Sequence, residues 1–191
     1  IIGVDFDDIL IEFSNNLYDF YNAKNGTNYG REDMWSFQLE HVWGCTREEA
    51  LQAVADFYES DEHWQVGPIV GSKENLEKIK ADNDLVIISA RPEYIKTKTL
   101  EWIDKHYPNT FSDVIFGNHY HGNGTKRSKK EICKEIGAHI YIDDMFTNAK
   151  EVAESGVQVL LFDSPWNQGD TVENMKRVYS WDEIYNFVKT F

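Results

Sequence analysis

The sequence is short of several things. Among its 191 residues are only two cysteines and four prolines, and no apolar run approaches the length of about 20 residues that a bilayer-spanning helix requires. Cys45 and Cys133 lie far apart and lack metal-ligand spacing, which excludes a disulfide framework and a cysteine-built zinc site. Two reduced thiols suit a reducing compartment, so a cytoplasmic location is expected, with no membrane association. Positive charge is also scarce: 19 Lys and Arg stand against 33 Asp and Glu, a formal net charge of -14. A field of that sign repels phosphate backbones, so a nucleic-acid polymer is not an expected partner. A small phosphate ester would need a local island of positive charge, and Lys126, Arg127, Lys129 and Lys130 supply one. There is no internal repeat and no low-complexity segment.

What is present suits one α/β domain with an insertion. Hydrophobic residues make up 41% of the chain, enough for a buried core. Short apolar runs at residues 1–4, 85–88, 114–116, 140–142 and 157–162 read as buried parallel strands. Between them lie helical patterns. Thr46 with Glu49 and Ser128 with Glu131 form capping boxes, Ser72 and Ser180 are expected caps, and Pro92 stands near a helix start. Alternating strands and helices imply a Rossmann-like parallel sheet of about five strands with helices on both faces. Ligands of such sheets bind beyond the carboxyl ends of the strands. Three polar clusters fall there: Asp5-Phe6-Asp7-Asp8, Ser89-Ala90-Arg91-Pro92 and Asp143-Asp144.

Alternate residues of a strand point the same way, so Asp5 and Asp7 can face one site as the strand ends. Alone, two such acids are equally compatible with a solvated turn. Asp143 and Asp144 change the balance, because four acids converging on one crevice repel unless a cation compensates. An oxygen-only cluster suits Mg²⁺. Ser89 and the backbone N–H groups after it could hold phosphate oxygens at a helix start, although an ordinary capping serine reads the same way. Lys129 sits just inside its capping box, against the helix dipole, and a neighbouring phosphate or carboxylate would offset that cost. These arguments leave the choice among Lys126, Lys129 and Lys130 open. His119 and His121 occupy a loop with no assigned role.

Four segments carry a family resemblance: IIGVDFDDIL at 1–10, VIISAR at 86–91, KRSKKEIC at 126–133 and IYIDD at 140–144. In that order they resemble the motifs of the haloacid dehalogenase superfamily of phosphatases. The insertion after the first motif, and ISARP followed by KTKTLEW, are similar to the 5'(3')-deoxyribonucleotidase-like branch. The chain departs from the family at Asp8, where glycine is common, and at Ile9. The resemblance implies a core of residues 1–12 and 72–191 and a small helical cap of residues 13–71. It implies Mg²⁺ held by Asp5, the Asp7 carbonyl and Asp144, with Asp143 a more distant or alternate ligand. Asp5 would be the nucleophile that forms an aspartyl phosphate, Asp7 the general acid and base. Ser89 and Lys129, with Ala90, Arg91 and Asp7, would bind phosphate. The expected partner is a small phosphorylated metabolite, a nucleotide above all, with Trp35, Phe37 and His41, and more loosely Trp43 and Trp64, as candidates to stack on a base. At least half of these aromatics are expected to pack the cap's own core.

Other readings share some of these features. A sugar phosphatase and a phosphotransferase would use the same residues. A non-catalytic phosphate-binding protein would be expected to lose one of the acids. A signalling receiver domain lacks a long insertion after its first strand and carries its acceptor aspartate after the third, where this chain has Phe116-Gly117.

Overall fold

The computed structural model describes residues 1–117 and 126–191, so His119 and His121 lie outside the described residues. Runs rich in Ile, Val and Leu, without alternation, form strands, and those at the centre of the sheet are buried on both faces. The elements in order are β1 (Ile2–Val4), α1 (Phe13–Asn25), α2 (Leu39–Trp43), α3 (Arg47–Glu59), α4 (Asp61–Gln65), α5 (Ser72–Ile79), β2 (Leu85–Ser89) and α6 (Lys96–His106). There follow β3 (Asp113–Phe116), α7 (Lys129–Ile136), β4 (Ile140–Asp143), α8 (Phe146–Ala153), β5 (Gln158–Phe162), β6 (Met175–Val178) and α9 (Trp181–Val188). The strands form one sheet in the order β3-β2-β1-β4-β5-β6, and every neighbouring pair is parallel. The chain winds outward from β1 through β2 and β3, then returns to the other side of β1 with β4. That reversal opens a crevice beyond the ends of β1 and β4, where the acids lie.

The α/β parallel sheet is as expected, but among the described residues it has six strands rather than about five. The additional strand, β6, reads Met-Lys-Arg-Val, too short and too polar to register as a buried run. It closes the sheet's edge with Lys176 exposed and Arg177 half-buried, a charged pattern that blunts an edge. The capping boxes at α3 and α7 form: Glu49 N–H donates to Thr46 Oγ1 at 3.2 Å, and Glu131 N–H to Ser128 Oγ at 3.1 Å. Ser72 does not cap. Gly71, with φ 81°, takes that position, and Ser72 lies buried inside α5 with its hydroxyl 2.7 Å from that of Tyr107.

Gly3, at the centre of β1, pairs with Val86 and Tyr141. A Cβ there would lie 2.8 Å from Ile88 Cδ1 and 3.0 Å from the Tyr141 ring. The isoleucine tip can move; the ring cannot easily, because its hydroxyl is tied to Asp143 at 2.7 Å. Gly3→Val is therefore expected to destabilise the fold by about 1–3 kcal/mol, read as a lower denaturant midpoint with an unchanged slope.

The chain leaves the sheet at Ile11 and returns at Pro68, and these two residues pair antiparallel. Between them α1 to α4 pack on one another around Leu17, Trp43, Ala50 and Phe57. The apolar core runs without a break from these residues to Ile2, Ile87 and Ile142 of the sheet.

Candidate active site

Asp5 follows β1 directly, and its N–H donates to the Ile142 carbonyl at 2.9 Å, which extends the β1–β4 ladder by one residue. That pairing brings the end of β1 level with Asp143 and Asp144. Oxygens of Asp5, Asp143 and Asp144 lie within 4.8 Å of one another, and all three residues are buried. Lys129, the first residue of α7, is buried with them. Its Nζ lies 2.5 Å from Asp5 Oδ1 and 3.5 Å from Asp143 Oδ2. Lys126 and Lys130 are exposed, so the basic island contributes one buried ammonium to the site.

The electrostatics follow from burial. Desolvation lifts Asp5 well above the ordinary carboxylate range, against the pull of Lys129 and with the neighbouring charge of Asp143 adding to it. Asp144 is raised in the same sense by burial first, then by Asp143, Asp8 and Asp5. Burial alone would lower Lys129, but the charges of Asp143 and Asp5 outweigh it and hold the ammonium above its usual value. Both Asp143 oxygens are engaged: Oδ2 accepts from the Tyr141 hydroxyl at 2.7 Å and Oδ1 from Met145 N–H at 2.8 Å. Asp144 Oδ2 accepts from Trp166 Nε1 at 2.7 Å. The donor set is all oxygen, anionic and crowded, which fits a hard divalent cation such as Mg²⁺.

Asp7 is turned toward β2. Arg91 Nε lies 3.2 and 3.1 Å from its two oxygens, and Nη2 lies 2.7 Å from Oδ1. The Arg91 side chain is thus bound to protein. Its backbone N–H donates to Ser89 Oγ at 3.1 Å. Asp8, the departure from the usual glycine, keeps the left-handed backbone that glycine favours, with φ 57°. Its carboxylate accepts from Ser14 N–H at 2.8 Å and from the Ser14 hydroxyl at 2.5 Å, and so ties the acid-bearing loop to α1.

A cavity of about 580 Å³ opens over these groups. Its floor is polar and includes Asp5, Asp7, Lys129 and Asp144. Ala90 and Arg91 also line it, whereas Ser89 is buried and does not. Its opposite wall, from the segment between Ile11 and Pro68, is mostly apolar and includes Leu17, Met34, Phe37 and Leu51. Of the candidate aromatics, Phe37 lines the cavity. Trp35 and His41 are exposed and do not line it. Trp43 packs the inserted helices' own core, stacked on Tyr21 with ring centroids 3.8 Å apart. Trp64 donates its indole N–H to the Tyr58 carbonyl at 2.9 Å.

Sequence reading missed the support from the end of β5. Trp166 bonds to the Asp144 carboxylate, and Asn167 Nδ2 donates to the Asp144 carbonyl at 2.6 Å. A signal was present, since Asp163-Ser164-Pro165-Trp166 is a fourth polar stretch directly after a strand. His63, buried beside Arg91, left no comparable signal.

The whole chain, residues 1–191, matches the family described as 5' nucleotidase, deoxy (pyrimidine), cytosolic type C protein. A nucleotidase of Clostridium acetobutylicum is 27% identical over 116 residues, 61% of this chain and 56% of that protein, so this alignment spans about half of that relative's length. YqfW of Bacillus subtilis is 26% identical over 194 residues, 98% of this chain and 92% of that one. In fold, the chain is similar to a haloacid dehalogenase-like family hydrolase from Streptococcus pneumoniae, with a TM-score of 0.73 at 14% identity, covering 97% of this chain and 96% of that one. The match runs from the acids after β1 to the last helix, on the sheet that carries those acids, and on this ground the chain belongs to the 5' nucleotidase, deoxy (pyrimidine), cytosolic type C family, with a fold like that of haloacid dehalogenase-like hydrolases, and is an enzyme of the phosphatase and nucleotidase class.

Proposed function

We propose that the protein is a Mg²⁺-dependent phosphomonoester hydrolase that works through an aspartyl phosphate on Asp5 and acts on a nucleoside or deoxynucleoside monophosphate. The observation that carries this reading is the buried Asp5 carboxylate, 2.5 Å from Lys129 Nζ, on the floor of a cavity of about 580 Å³. A cavity of that size suits a small metabolite. The nucleotide preference is supported by the family match and by the apolar wall that Phe37 helps to form, a surface suited to a base.

The Asp5 carboxylate, the Asp7 carbonyl and Asp144 would hold the cation, and Asp143, bonded to Tyr141 and Met145, would fix the strand end behind them. Bound there, Mg²⁺ would neutralise the acid cluster and the phosphoryl oxygens. An Asp5 oxygen attacks phosphorus, and the bond to the leaving oxygen breaks as that oxygen takes a proton from Asp7. Asp7, now a carboxylate, takes a proton from water. The hydroxide oxygen bonds to phosphorus, the bond to Asp5 breaks, and phosphate leaves with both acids restored. Lys129 and the backbone at Ala90 stabilise the charge on the transferred group, and Ser89, whose Oγ accepts from Arg91 N–H, fixes the turn that presents that backbone. Residues 13–71 act as a cap that excludes water over a core of residues 1–12 and 72–191. Cys45 and Cys133 are free thiols, consistent with work in the cytoplasm, and among the described residues no helix is long and apolar enough to cross a membrane.

Phosphate release should be measured from deoxynucleoside and nucleoside monophosphates, sugar phosphates and an aryl phosphate, with Mg²⁺ and with EDTA. Release that EDTA abolishes and Mg²⁺ restores is expected, fastest from nucleotides. Equal rates on sugar phosphates would remove the nucleotide assignment. Undiminished release in EDTA would remove the metal.

A further inference from the structure

Arg91 is 1% exposed, and its guanidinium is committed on every edge. Beyond the fork on Asp7, Nη1 donates to Thr99 Oγ1 at 3.1 Å, and Nη2 also lies 3.1 Å from His63 Nε2. The guanidinium carbon lies 4.4 Å from the centre of the Phe6 ring, 5.2 Å from that of Tyr58 and 5.6 Å from that of Trp64. Asp7, Phe6 and Arg91 belong to the strand ends of the sheet. His63, Tyr58 and Trp64 come from α3 and α4 of the insertion. One buried cation therefore joins the two parts of the molecule at the residue assigned to proton transfer.

His63 is fully buried among the rings of Phe13, Phe57, Tyr58 and Trp64. An arginine has donors and no acceptor, so His63 Nε2 accepts and the ring proton sits on Nδ1. That Nδ1 has no hydrogen-bond partner among the described residues. Burial first, then the charges of Arg91 and Lys98, lower His63 to about 2, which keeps the ring neutral and able to accept. A phenylalanine would fill the same aromatic nest without a buried, unpaired N–H. A histidine stands where packing favours a plain ring, and among the described residues the one side-chain hydrogen bond that it makes is to Arg91.

We infer that His63, acting through Arg91, is a positioning residue that aims the Asp7 carboxylate at the leaving oxygen and makes proton transfer depend on the seating of α4. The inference rests on the acid/base role proposed for Asp7. Arg91 Nη2 is the shared atom: it donates to Asp7 Oδ1 and is held from the other side by His63. Without that second anchor the fork can turn in its plane, and Asp7 turns with it. Thr99 anchors the opposite nitrogen, and its own hydroxyl is fixed by donation to the Ile95 carbonyl at 2.9 Å.

The test uses leaving-group chemistry, because a misaimed acid matters for an alkoxide and little for a nitrophenolate. Single-turnover release should be followed from a deoxynucleoside monophosphate and from 4-nitrophenyl phosphate, in the intact protein and in His63→Phe, His63→Gln, Thr99→Val and Asp7→Asn. In His63→Phe, release of the nucleoside should fall on the order of tenfold or more, with nitrophenolate release within about threefold and KM within about twofold. His63→Gln, which keeps an acceptor, should recover most of the loss. Thr99→Val should show the same selective loss and serves if His63→Phe melts far below the parent protein. Asp7→Asn should be more selective still. Equal slowing of both substrates in His63→Phe and Thr99→Val, with Asp7→Asn selective, would overturn the positioning role and leave Asp7 as the acid. A non-selective Asp7→Asn would overturn the acid role itself, and the inference with it.

Discussion

Asp5→Asn should lose turnover by on the order of 10⁴-fold or more, because a neutral amide oxygen cannot serve as the nucleophile. The fold should survive the change. Asparagine has the same shape, and its side-chain oxygen can still accept from Phe6 N–H, which lies 2.7 Å from Asp5 Oδ1, and from Lys129. The strand ladder that carries residue 5 is built from backbone bonds, which the substitution does not touch. The check is kcat on the best substrate of the panel, together with the melting temperature. A residual rate near that of the parent would sink the nucleophile assignment, whatever the rest of the site does. Loss of rate with loss of fold would instead mean that the Asp5–Lys129 contact is structural first.

Lys129→Met should damage both activity and stability, and for one reason. Asp5 and Asp143 are 7% and 0% exposed, and Lys129 is the cation paired with both. Removing one partner of a buried charge cluster leaves the others uncompensated, at a cost of about 3 kcal/mol. The transferred phosphoryl group would also lose its fixed positive neighbour, and kcat should fall on the order of 10³-fold. Lys126→Met and Lys130→Met alter exposed side chains and should stay within about threefold of the parent in kcat, since surface charges there contribute little. Comparable losses from all three substitutions would show that the basic island acts as a diffuse field, without a specific role for the buried lysine. Added Mg²⁺ should raise the melting temperature of the parent protein, by linkage to the folded state. No such rise would argue against a preformed cation site at Asp5, Asp7 and Asp144.

Much of the fold was legible in the residues, because the signals are local. An unbroken apolar run such as Leu85–Ile88 has to be buried on both faces, and the polar residues at its end have to lie at the sheet's edge. The capping boxes at Thr46 and Ser128 formed because each needs only the geometry of its own first turn. Ser72 failed as a cap because a preceding glycine in the left-handed region starts the helix one residue sooner, and Tyr107, distant in sequence, claims the hydroxyl. β6 escaped notice because an edge strand buries little and so need not be apolar.

The same division holds for the site. The order of its acids, serine and lysine along the chain, and their places at strand ends and helix starts, were determined by the sequence itself, since strand termini and caps are written in neighbouring residues. Which lysine is buried, which aromatic reaches the cavity and what holds Asp7 were decided only by tertiary structure. Lys126, Lys129 and Lys130 look alike in sequence, and the rotation of α7 on the sheet turns one of them inward. Arg91 meets His63 and Asp7 across separations of 28 and 84 residues. Contacts over such distances depend on how helices and sheet pack together, and no local pattern encodes that packing.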